Sequence, residues 1–222
     1  MIAWTGFGSG QCIADDSDWW SLIRQQEPRD GGCSAPRKEK PDGANFVVAG
    51  VDLEHGDPIH AAEKKIATPE RLIGRGDAAS SRRQLCFKSV SEGGRYKLIF
   101  EEAEIASVAY LIDGGPSWAG AEKCVASRKI SGNLSTRSGL HLGMTPGEVE
   151  KILGKPCVAS KDAIEYGFSF EHLLTAKERK QIGDEGLGRV YPDQPFSWFG
   201  TVKIKFRKAR SYYIAILTGE TQ

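Results

Sequence analysis

The chain states one pattern twice. Laid without gaps, KLIFEEAEIASVAYL from Lys97 overlies KIKFRKARSYYIAIL from Lys203, matching Phe100 to Phe206, Ala103 to Ala209, Ala109 to Ala215 and Leu111 to Leu217. A repeat constrains a fold more than local propensity does, because it makes each copy one supersecondary unit. Each copy reads as a β-hairpin. Residues 96–100 and 105–112 are rich in Ile, Leu, Val, Tyr and Phe around a short polar turn, and 202–206 with 211–217 repeat the arrangement. Upstream lie two short helices opened by proline, DPIHAAEKKIATP and TPGEVEKILGKP. Asp57 and Thr145 can cap them, and Pro58 and Pro146 occupy the first helical position, where no N–H is needed. A further strand stands between helix and hairpin in each copy, RRQLCFKSV ending at Val90 and AIEYGFSF ending at Phe170.

The expected fold is therefore α+β: two tandem units of one helix plus a three-stranded antiparallel sheet. The sheets lie side by side about a pseudo-two-fold, with the helices on one face. The first unit covers residues 46–130, and the second covers 131–222 with an insertion at about 171–200. One such unit is too small to cover its sheet, but 222 residues can bury roughly 70% of the unfolded surface in a shared core. The formal net charge of +1 argues against nucleic acid or an anionic membrane as the main partner, and no apolar run is long enough for a transmembrane helix.

Residues 1–45 differ in character. PRDGGCSAPRKEKPDGAN, residues 28–45, reads as a flexible linker, and DSDWWSLIRQQ before it as a short amphipathic helix whose tryptophans dock on the body or meet a partner. The opening MIAWTGFGSGQCIA resembles the end of a secretory signal but lacks a basic start. Among five cysteines, Cys86 with Cys124 would close the first unit and Cys12 with Cys33 would bridge the N-terminal region, leaving Cys157 odd. Five buried thiols in a reducing cytoplasm are the alternative.

GLHLGMTPGEVEKILGKP, Gly139 to Pro156, followed by a strand and a hairpin of the form FRKARSYYI, resembles the SmpA/OmlA (BamE-like) family of bacterial envelope proteins. The resemblance covers residues 139–217 well and 55–112 more loosely, since the first copy lacks the Gly-Met start and the Leu-Gly pair. The tandem form is similar to the β-lactamase inhibitor protein family, which implies two sheets combined into one concave binding face. The motif also prescribes a capped helix in its own right. Met144, Val149, Ile152 and Leu153 make an apolar stripe, Gly154 ends the helix, and Pro156 blocks its resumption.

No catalytic constellation is found. His55, His60, His141 and His172 form no metal motif, and His60 with Glu63 reads as a solvated pair on one helix face. The glycines at 6, 8 and 10 make no dinucleotide fingerprint, and no nucleophile elbow or Walker loop is present. No cofactor and no metal are expected. Arg75-Gly76-Asp77 reads as a chance match, and the glycosylation sequon at Asn133 would be idle in the bacterial protein that the resemblance implies.

Two features point to protein binding. In the insertion, Thr175 and Glu178 make a capping box, and the loop after it carries Tyr191, Phe196, Trp198 and Phe199, which either bind a partner or fold back over the sheet. At the hairpin tips, where the first copy has Glu101, Glu102 and Glu104 the second has Arg207, Lys208 and Arg210, suggesting an acidic and a basic pole that orient a protein partner or a neighbouring copy. The expected function is a non-enzymatic protein-binding or assembly module of the bacterial envelope, extracytoplasmic, with peripheral or no membrane contact. A secreted inhibitor of another enzyme is the rival, and an enzyme with a deep titratable pocket the different-class reading.

Overall fold

A computed structural model describes residues 33–38, 41–55, 57–67, 72–73, 83–102, 106–114, 124–173 and 195–221. Two helices lie among them. In α1 (Pro58–Lys65) the Asp57 carboxylate accepts from the His60 N–H at 2.8 Å, and Pro58, Ile59 and Ala62 are buried. In α2 (Pro146–Leu153) the Thr145 hydroxyl accepts from the Glu148 N–H, while the Glu148 carboxylate accepts from the Thr145 N–H at 2.7 Å. This reciprocal box holds the Glu148 carboxyl below its ordinary range, with the Thr145 backbone and hydroxyl as first causes. Val149 and Leu153 are buried, and Gly154, at φ +74°, ends the helix.

The strands are β1 (Val47–Val48), β2 (Val51–Asp52), β3 (Leu72–Ile73), β4 (Arg83–Ser89), β5 (Tyr96–Glu102), β6 (Ala106–Asp113), β7 (Val125–Ser127), β8 (Val158–Ala159), β9 (Ala163–His172), β10 (Phe196–Arg207) and β11 (Arg210–Thr221). β1 and β2 form a small sheet of their own. The large sheet runs β3-β4-β5-β6-β11-β10-β9-β8 with antiparallel neighbours, and β7 adds to β4 in parallel.

The α+β fold of two helix-plus-three-strand units does not form. The described residues are mostly β: one mixed sheet of nine strands, a two-stranded sheet, and two α-helices of eight residues each. The cause lies in β6 and β11. Residues 108–112 and 213–216 are buried without a break, and strands covered on both faces belong inside a sheet rather than at the margin of a unit. They pair with each other from Ile112↔Tyr213 to Ala106↔Gly219. One apolar cluster then runs through both halves, from Ile59, Leu98 and Leu111 to Val149, Ile204 and Ile216.

The gap-free overlay of the repeat also fails in its second strand. Ala109 and Leu111 face the helix-covered core, whereas Ala215 and Leu217, their matches in sequence, lie on the opposite face. The second hairpin turns in two residues, Lys208 and Ala209, with a register shift between Lys205 and Phe206, while the first turns beyond the Glu102↔Ser107 pair. A slip of one residue exchanges the two faces of a strand, so the one-residue shift beside Lys205 and Phe206, rather than the shorter turn, reverses the sense of everything after it.

The expectations for residues 1–14, the 16–26 helix, Arg75-Gly76-Asp77, the Thr175–Glu178 capping box, Cys12, Glu104 and Tyr191 lie outside the described residues.

Candidate functional site

The sheet face turned away from the helices carries a second apolar cluster around Ile99, Tyr110, Ile112 and Tyr213. Between β6, β11, β10 and β9 this face opens into a pocket of ≈ 400 Å³. Val108, Ala215 and Leu217 give it an apolar floor. The Tyr110 and Tyr213 rings stand 6.2 Å apart at 49°, and Phe199 and Thr201 enter from β10. Glu165 and Lys203, register partners on β9 and β10, pair at 3.6 Å as the charged part of the lining.

One wall comes from the segment ahead of the sheet. Cys33 and Pro36 line the pocket, and the Cys33–Cys157 disulfide, Cα atoms 5.6 Å apart, ties them to the residue before β8. The Arg37 N–H donates to the Gly167 carbonyl at 2.9 Å, and the Ser169 N–H donates to the Arg37 carbonyl at 2.8 Å. The segment crosses β9 so closely that a Cβ on residue 167 would lie 2.6 Å from the Cys33 Cβ, so only glycine fits. The Arg37 guanidinium donates to the carbonyls of Leu153, at 2.8 Å, and of Lys155, serving the carbonyl end of α2. It also stands 6.0 Å from the Tyr166 ring and 5.8 Å from that of Phe168. Burial pushes the Tyr166 hydroxyl up to about 12, with Arg37 acting in the opposite sense.

On the same face, further along, Glu101 is 5% exposed. Gln84 Nε2 donates to its carboxylate at 3.1 Å and the Tyr110 hydroxyl at 3.4 Å. Lys97 is 1% exposed, and burial pushes its ammonium down to about 8, against the opposing pull of Asp113.

The structure separates the residues that the sequence grouped. Trp198 is in β10, 1% exposed, its ring edge-on to Phe46 at 5.3 Å, so it belongs to the core. Phe196 begins the same strand, and Phe199, on the other face, reaches the pocket. Glu102 pairs with Arg83, and Glu101 is buried, so neither forms an exposed acidic pole. Arg207, Lys208 and Arg210 are exposed at the β10–β11 turn, at the opposite end of the sheet from the 102–107 turn. Cys86 and Cys124 are bonded, Cα atoms 4.5 Å apart. Cys33 takes Cys157, which corrects the expected Cys12–Cys33 bridge and the odd Cys157. His60 and Glu63 do approach, at 4.0 Å, on an exposed helix turn. Asp52, Glu54 and His55 bring their side-chain ligand atoms within 4.8 Å of one another in the turn after β2.

Sequence reasoning missed Glu165, Lys203 and the wall built by Cys33 and Pro36. One signal was present: a glycine inside an otherwise apolar strand, EYGFSF, marks a close approach by another backbone. No family model, curated protein or solved structure matches the chain. Two disulfides are compatible with an extracytoplasmic setting. No helix among the described residues is long and apolar enough to cross a membrane.

Proposed function

We propose that this chain is a non-enzymatic protein-binding or assembly module of the bacterial cell envelope, working outside the cytoplasm through the sheet face opposite its helices. The pocket bounded by Tyr110, Tyr213, Phe199 and the disulfide-held wall carries the reading. Its apolar floor and rigid aromatic sides suit an inserted side chain of a partner, which is the chemistry of an interface anchor. Glu165 and Lys203 hold each other across two strands and offer that partner a charge pair for orientation. The two disulfides support the compartment.

The test places a photo-crosslinking side chain at Phe199 and, separately, at exposed Gly147 on α2. Position 199 is expected to capture one protein from an envelope extract, competed by unmodified protein but not by a Phe199→Ala, Leu217→Glu variant. Equal capture from both positions, or equal competition by the variant, would refute the reading.

A further inference from the structure

A second concavity, ≈ 680 Å³, lies at the end of the sheet where β5 begins and β10 turns into β11. Four cations line it, Arg95, Arg207, Lys208 and Arg210, with Asp113 as the acid in its lining. Asp113 is committed: Arg95 donates to its two oxygens at 2.7 and 2.6 Å. Arg210 has Glu148 at 3.5 Å and donates to the Gly143 carbonyl at 3.1 Å. Arg207 and Lys208 have no acidic partner among the described residues, and the Arg207 guanidinium instead stands 4.4 Å over the Tyr212 ring. That stacking fixes the plane of the guanidinium while leaving its N–H groups for an external acceptor.

The turn that holds these cations is locally unfavourable. Lys208 and Ala209 sit at φ 51° and 58°, the tight two-residue geometry that Asn-Gly adopts without strain. Lysine at such a position supplies charge at the expense of local stability, which is a mark of function once the outlier has been seen.

We infer that this groove binds an acidic peptide segment of a partner protein, a site separate from the sheet-face pocket. Leu142, Tyr96 and Tyr212 give it apolar walls between the cations. Such a lining fits carboxylates spaced by apolar side chains better than a hydrated inorganic anion. A net charge of +1 also gives little long-range attraction to an extended polyanion or an anionic bilayer, so the preference for negative charge is confined to the groove. A second copy's first hairpin is a poor occupant, because its Glu101 is buried and its Glu102 is paired with Arg83.

Fluorescence anisotropy with a labelled peptide of alternating Glu and Leu tests this, a Lys-Leu peptide serving as control. Saturable binding of the acidic peptide is expected, weakened about tenfold or more by Arg207→Glu with Lys208→Glu, and by salt raised from about 0.05 to about 0.5 M. Lys208→Asn with Ala209→Gly is expected to raise Tm by about 2 to 4 °C while weakening the peptide, a combination that a merely structural turn would not give. Peptide affinity unchanged in both variants would overturn the inference. So would inorganic phosphate, or vesicles rich in phosphatidylglycerol, displacing the peptide at comparable concentration. The Phe199 crosslinking result does not bear on either outcome.

Discussion

Replacing Cys33 and Cys157 together by alanine removes one cross-link and leaves the other intact. The bond spans 124 residues, but Cys86–Cys124, spanning 38, lies within it and shortens the path. The unfolded chain still runs about 53 residues from Cys33 to Cys86 and about 33 from Cys124 to Cys157, so the loop being closed holds about 87 residues. Chain entropy then assigns the bond about 4.6 kcal/mol. For a chain of this size that is a fall in Tm of roughly 9 to 18 °C. The assay is calorimetric or circular-dichroism melting of the oxidised protein and the double variant, after peptide mapping confirms both bonds in the former. Arg37 anchors the same segment, but its two backbone bonds to Gly167 and Ser169 each contribute only about 1 kcal/mol. They cannot substitute for the covalent tie. A loss under about 1 kcal/mol, with the bond shown to be present, would mean that the segment comes off β9 before the sheet unfolds. Mapping that found Cys12 joined to Cys33 would refute the geometry outright.

Further outcomes follow from single side chains. Trp198→Ala should cost about 3 to 5 kcal/mol in chemical denaturation, because the ring is buried against Phe46 and leaves a cavity; a loss confined to partner binding would count against the core placement. Gly167→Ala should lower Tm in the oxidised protein and do so less in the Cys33/Cys157 double variant, since loss of the covalent tie lets the segment that carries the clashing Cβ of residue 33 move off β9; equal losses in the two backgrounds would reject it. Lys97 has a folded pKa of about 8 against an ordinary 10.5, so the unfolded chain holds more protons between those values and stability rises as pH climbs through the window, by about 3 kcal/mol. Lys97→Met should be more stable than wild type at neutral pH and lose that rise; a flat wild-type profile from pH 8 to pH 10.5 would contradict the burial argument.

Local structure was legible where a residue has one physical use. Asp57-Pro58 and Thr145-Pro146 start helices because a cap and a missing N–H suit the first turn and little else. Val202, Ile204 and Phe206 are buried and alternate with Lys203 and Lys205, as the period of a half-buried strand predicts. Assembly was not legible, because the continuous burial of 108–112 and 213–216 reads the same in a lone hairpin as in the middle of a wide sheet. The one-residue register shift at Lys205 and Phe206 was the deeper obstacle, since a gap-free alignment cannot register a change that exchanges faces. Of the site, Phe199 was named for its aromatic ring, but in company with Trp198, which alternation places on the other side of the strand. Glu165 and Lys203 look like ordinary surface charges until register sets them opposite each other. The Cys33–Cys157 bond joins residues on either side of almost the whole first half of the sheet, a separation that spacing cannot reveal.

The small pieces along the rim of the sheet have a consequence for how anything can attach to it. β4 carries β3 against residues 83–84 and β7 against 87–89 on its outward side; β9 carries β8 against 164–165 and the backbone of Arg37 against 167–169. Each outermost long strand thus has its outward N–H and C=O groups taken in two short instalments, leaving no long uninterrupted template for an incoming strand among the described residues. Partners that dock by extending a sheet are disfavoured, and so is fibril growth by the same route. Recognition is left to surfaces made of side chains, at the open face and at the basic end.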